Sequence, residues 1–121
     1  MARFRLSEPA KADIAAILRH SEELHGEHAR IRYRACLTAA MRSVAAHPNG
    51  LSTLDRGELV PGIRSFHIRH SRHEAQEAPV ASPVHVLFYR LAQPGVVEIV
   101  RVLQDRMEPA QHISRDHESR D

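Results

Sequence analysis

The chain has 121 residues, enough for one hydrophobic core and too few for a second, so a single domain with one principal site is expected. Seventeen Lys and Arg side chains against fifteen Asp and Glu give a formal charge of only +2, yet Lys11 is the sole lysine, the other sixteen are arginine, and ten histidines accompany them. Arginine presents a planar fork suited to carboxylates and phosphates, which points to an acidic or anionic partner. A genome rich in G and C enriches arginine in the same way, so only local clustering carries weight. Cys36 stands alone, which excludes a disulfide framework and a thiolate metal cluster. The first residues lack the apolar run of ~7 to 15 that a signal peptide needs, and no stretch approaches ~18 apolar residues, so a soluble cytoplasmic protein is expected.

In chain order, "ARFRL" (2–6) alternates polar and apolar residues and predicts a short strand. Ser7, Glu8 and Pro9 then form a helix start: a capping hydroxyl, a carboxylate that suits the dipole, and a proline tolerated in the first turn. Ala10, Ile14, Ile17, Leu18 and Leu24 keep helical spacing up to Gly26, predicting a helix over 8–24. Tyr33, Leu37, Ala40, Met41 and Val44 repeat at three and four and predict a second over 27–47, ended by "HPNG". The two make a helical hairpin.

Residues 48–62, with their Pro, Gly and Asp, read as a surface connection. Three strands follow: "IRSFHIR" (63–69) alternates, whereas "VHVLFYRL" (84–91) and "VVEIVRVL" (96–103) are apolar on both faces, the mark of central strands. "AQPG" between the last two fits a hairpin turn. The charged, proline-containing link 70–83 is expected to be mobile. "SRDHESRD" (114–121) has nothing to bury and is expected to be a disordered polar tail on a single domain spanning 1–113. The fold class is therefore α+β: an N-terminal strand, a helical hairpin and a three-stranded antiparallel meander, making a four-stranded sheet with the hairpin on one face.

Few motifs carry chemistry. His67, His70 and His73 are spaced by three, but they begin in a strand and run into a loop without a fixed carboxylate or Cys partner, so a solvated basic rim is a better reading than zinc, and no metal is expected. Cys36 lies mid-helix, where a buried, inert thiol is the usual outcome. "PGIRS" has one glycine and no lysine after it, so phosphate binding by a glycine-rich loop is not indicated. What remains are polar residues on and after the meander: Arg64, His67, Arg69, Tyr89, Arg90, Arg101 and Arg106, with His112 behind them. Projecting to one side, they would form a concave cationic surface able to hold RNA phosphates, with His or Tyr as acid or base. Otherwise they are solvated or pair with Glu98, Asp105 and Glu108.

The ordered set "RFRLSEPAKADI", a compact helical hairpin, "VPGIRSFHIRHSR", "VHVLFYRL" and "VEIVRVLQDRMEPAQHI" covers nearly all of residues 2–113 and resembles the ParE branch of the RelE/ParE toxins of bacterial type II toxin-antitoxin modules. The resemblance implies a RelE/ParE-like fold, a toxin acting on DNA gyrase without catalysis, and neutralisation by a ParD-like antitoxin in a hetero-oligomer, with no cofactor and no membrane. It implies target contact by Arg101, Arg106 and His112; a groove between the two amphipathic helices would receive an antitoxin helix, with Leu18, Leu24, Tyr33 and Leu37 as its lining or, equally, as residues that face the sheet. RelE-type relatives instead cut messenger RNA on the ribosome, a role that would fall to Arg64, Arg101 and His112. Against that pattern, Lys11 is the only lysine and lies in the first helix, and no tyrosine follows Tyr89. A third reading is a non-toxic remnant that still binds an antitoxin.

Overall fold

One hydroxyl organises the start of the chain. Ser7 Oγ accepts the Ala10 N–H at 3.1 Å, capping the first helix, and donates to the Val100 carbonyl at 2.7 Å, tying that helix end to a strand 93 residues later. The computed structural model describes residues 2–75 and 77–113; the tail 114–121 lies outside them. Its elements are β1 (Arg3–Leu6), α1 (Glu8–His25), α2 (Glu27–Ala46), β2 (Leu54–Asp55), β3 (Arg64–His67), β4 (His85–Gln93) and β5 (Val96–Gln104), with short 3-10 turns at Ile68–Ser71 and Pro109–Gln111.

Only Gly26 separates α1 from α2. It sits at φ 91, a conformation costly for residues with a Cβ, and its N–H closes α1 on the Glu22 carbonyl at 2.8 Å. The chain therefore reverses at once and the helices pack as the expected hairpin. At the other sharp reversal, Pro94 and Gly95 join β4 to β5, with Gly95 at φ 78 taking the positive angle that a Pro-Gly turn demands.

The sheet runs β1-β5-β4-β3-β2, with β1 parallel to β5 and the remaining pairs antiparallel. The two strands with two-sided apolarity, β4 and β5, are central, flanked by β1 on one side and β3 on the other. On the helix side, Leu87, Tyr89, Val97, Ile99 and Val102 meet Leu37, Ala40, Met41 and Val44 of α2. On the opposite side, Phe88, Val100 and Leu103 are roofed by Val60, Ile63 and Ile113 in a second apolar cluster. Burial on both faces is what a two-sided apolar strand requires.

Two expectations are corrected in detail. The connection 48–62 contains a fifth strand, the two-residue β2, which pairs Leu54 with Ser65 and Asp55 with Arg64 at the edge. The strand expected over 63–69 ends at His67, whose Nδ1 accepts the Arg69 N–H at 3.1 Å and caps the 3-10 turn that buries Ile68 and Ser71. Within the charged link 70–83, Ser71 is buried, Val80 packs against the helix-side core, and Arg72 Nε donates to the Val80 carbonyl at 2.7 Å.

Candidate functional site

The first region is a groove of about 580 Å³ between α1, α2 and residues 79–85. Its apolar walls include Ile17, Leu24 and Val84, and Leu24 and Val84 are exposed at 61% and 39%. His20, His25 and Arg32 line it with polar or cationic groups. Its floor is held by Tyr33, whose hydroxyl shares a hydrogen bond with His85 Nδ1 at 2.5 Å and accepts the Val84 N–H at 3.2 Å, while the two rings meet edge to face at 5.4 Å. Burial pushes the Tyr33 phenol up to about 12 and the His85 imidazole down to about 4, so the pair is neutral near pH 7. A neutral floor between apolar walls suits an apolar ligand face more than an ion.

Of the four residues expected at an antitoxin, Leu24 and Tyr33 line this groove. Leu18 is half-buried against the helix-side core. Leu37 is 1% exposed inside that core and takes no part in the groove. Helical periodicity places Leu37 on the apolar face of the hairpin, and that is the face the sheet covers.

The second region is the C-terminal segment after β5. Arg106 and His112 are exposed there, with the half-exposed apolar Met107 beside Arg106. Arg101 is placed differently. Its Nε and Nη2 donate to the two Asp13 carboxylate oxygens at 2.8 and 2.9 Å, a fork-on-carboxylate pair, and its Nη1 donates to the His112 carbonyl at 2.9 Å. The hydrogen bonds to Asp13 hold the Arg101 guanidinium above its ordinary pKa. Asp13 Oδ2 also accepts the Val102 N–H at 2.9 Å. Because β1 pairs with β5 only as far as Ile99, the flank of β5 beyond it needs other partners, and Ser7 and Asp13 supply them.

The remaining polar residues of the meander do not converge. Arg64 lies on β3 and its Nη2 donates to Thr53 Oγ1 at 2.8 Å, beside the Tyr89 hydroxyl that donates to the Pro48 carbonyl at 2.6 Å. These bonds fasten the connection after α2. Glu98 bridges Arg5 of β1 and Arg90 of β4 across neighbouring strands. His67 Nε2 meets Asp105 Oδ2 at 3.0 Å and holds that carboxyl below its usual range, His70 lies against the Phe66 ring, and His73 accepts from Arg72. The middle of the face that would have formed a concave cationic surface is occupied by the Phe88, Val100 and Ile113 cluster. Asp13 and His85 went unnoticed in the sequence: each is a lone polar residue whose partner lies 88 or 52 residues away.

Set beside known proteins, a family model described as "ParE toxin of type II toxin-antitoxin system, parDE" matches residues 4–109. "Toxin ParE1" of Caulobacter vibrioides is 33% identical over 114 residues, which is 93% of this chain and 99% of that protein. A solved structure described as "Chromosomal ParDE TA system from P. aeruginosa" shares the fold with a TM-score of 0.61 at 18% identity, over 86% of this chain and 96% of that one. A helical hairpin on this mixed sheet is thus a ParE-like architecture. The chain belongs to the ParE toxin family of type II toxin-antitoxin systems.

Proposed function

We propose that this toxin inhibits DNA gyrase through its C-terminal segment and is neutralised by a ParD-like antitoxin seated in the groove between α1, α2 and residues 79–85. The observation that carries the first half is the engagement of Arg101. All three of its guanidinium nitrogens already bond within the chain, two to Asp13 and one to the His112 carbonyl. A nuclease built from Arg64, Arg101 and His112 needs these groups aimed at one phosphate. Instead Arg64 fastens Thr53 and Arg101 grips Asp13, so the messenger-cutting alternative draws no support from this arrangement. Arg106, Met107 and His112 are left as an exposed cationic and apolar contact surface, suited to docking on a large target and to electrostatic steering toward it.

The groove supports the second half. An amphipathic helix laid in it would place apolar anchors against Leu24 and Val84, and acidic residues beside Arg32 and the two histidines. Such a complex buries more than ~1,200 Å² and forms a toxin-antitoxin hetero-oligomer. No helix among the described residues is long and apolar enough to cross a membrane, and a gyrase inhibitor works in the cytoplasm.

The test is purified toxin added to gyrase with DNA and ATP, alone and after mixing with the antitoxin. Supercoiling is inhibited by the free toxin and restored by the complex, and Arg106→Ala weakens the inhibition. Antitoxin binding without any growth arrest or gyrase effect would instead identify a non-toxic remnant.

A further inference from the structure

Arg101 joins three parts of the molecule that are remote in sequence. Its Nε and Nη2 hold Asp13 on α1, its own strand is held to Asp13 through the Val102 N–H, and its Nη1 holds the His112 carbonyl of the C-terminal segment. At its start the segment is held by Asp105, whose N–H donates to the Val84 carbonyl and whose carboxylate meets His67; at its far end the His112 and Ile113 N–H groups bond back to the Pro109 carbonyl, and Ile113 inserts among Phe88, Val100 and Leu103. Asp13 is itself 15% exposed at its side chain and does not line the groove.

We infer that Asp13 is a positioning residue for toxicity: through Arg101 it holds the segment bearing Arg106 and His112 in the geometry that meets the target, without touching the target itself. The inference rests on the proposed reading that this segment contacts gyrase. Without the Asp13 carboxylate, the Arg101 fork loses two charge-assisted bonds and is freed to leave His112; the segment's start stays tied through Asp105 to His67 and Val84, while its far end keeps its local turn and Ile113. Antitoxin affinity, set in the groove, is then separable from target inhibition.

The test compares full-length wild type with Asp13→Asn, Asp13→Glu and Arg101→Lys in three assays: gyrase inhibition, antitoxin affinity, and amide exchange at His112 and Ile113. Asn keeps an acceptor for the Val102 N–H but no charge, and a lysine ammonium cannot grip Asp13 in two places while holding His112. For both Asp13→Asn and Arg101→Lys the expected result is about tenfold or greater loss of inhibitory potency, antitoxin affinity within about threefold of wild type, and faster exchange at the two amides. Asp13→Glu, which retains the carboxylate, recovers most of the potency. Unchanged exchange at His112 and Ile113 in both variants would overturn the inference, as would a loss of antitoxin affinity in step with potency. If wild type fails to inhibit gyrase, the proposed target is wrong, and the exchange measurement still decides whether Asp13 positions the segment.

Discussion

The Tyr33 hydroxyl and His85 Nδ1 lie 2.5 Å apart although 52 residues separate them, and they join α2 to the start of β4 beneath the groove. The Tyr33 oxygen also accepts the Val84 N–H, and giving its one proton to Nδ1 of a neutral His85, protonated on Nε2, is the assignment that leaves no hydroxyl proton unpaired. Protonating His85 forces Nδ1 to become a donor and breaks this arrangement.

A pH dependence follows. The imidazole is held at about 4 in the folded chain against an ordinary 6.5, so between those values the unfolded chain binds a proton that the folded chain does not. Stability is therefore fully present above pH 6.5 and is lost as pH falls toward 4, by on the order of 3 kcal/mol. Urea midpoints measured across this window should fall with acidity, and His85→Asn, which places an acceptor near the Nδ1 position and does not titrate, should flatten the His85 part of the slope. An unaltered slope in that variant would refute the assignment. Tyr33 acts at the other end: its phenol is raised from 10.0 to about 12, so its contribution is present below pH 10 and is lost as pH rises through 12.

Ser7→Ala removes both a helix cap and the donor to the Val100 carbonyl, at a residue 8% exposed. The expected cost is about 2 kcal/mol or more in a denaturation experiment. Ser7→Thr should recover most of it. Ser7→Asp should not, because a carboxylate caps the helix but cannot donate to Val100.

How much of this was legible in the sequence depends on the range over which each cause acts. Ser7-Glu8-Pro9 announced α1 because capping is decided within one turn, and the two-sided apolarity of β4 and β5 announced the centre of the sheet because burial on both faces selects it. β2 was invisible, since two residues carry no periodicity and pairing with Ser65 and Arg64 creates the strand. Arg101 was noticed as a cation late in the chain, but nothing local to it signals that Asp13 is its partner. For Leu37 the helical pattern allows either the groove or the sheet, because periodicity states that a face is covered and not by what, and the fold buries it against the sheet.

That contrast yields a paired experiment on the hairpin. Leu37→Ala, deep in the core, should destabilise the domain by ~2 to 5 kcal/mol. Leu24→Ala, on a residue 61% exposed at the groove, should leave stability within about 0.5 kcal/mol yet weaken antitoxin binding by roughly 1 to 2 kcal/mol. Unfolding curves and antitoxin titrations on the same two proteins separate a core residue from a docking residue. Antitoxin affinity indifferent to Leu24 would move the interface elsewhere.

The C-terminal surface should act through Arg106 more than through His112. Both are exposed, but a permanent positive charge steers association over a longer range than one imidazole does. Arg106→Ala is expected to reduce gyrase inhibition further than His112→Ala, and raising the salt concentration should narrow the gap between wild type and Arg106→Ala. Equal loss from the two substitutions would assign the contact to shape rather than to charge.

The most direct measurement applies one preparation of the toxin to both candidate targets: gyrase with DNA and ATP, and ribosomes translating a defined messenger. With Arg64 fastened to Thr53 and the Arg101 fork closed on Asp13, the expected result is that supercoiling is inhibited or cleaved DNA accumulates, that the messenger stays intact, and that His112→Ala changes neither result by more than a few fold. Ribosome-dependent messenger cleavage that His112→Ala reduces by ~10² to 10⁴, with gyrase untouched, would contradict it.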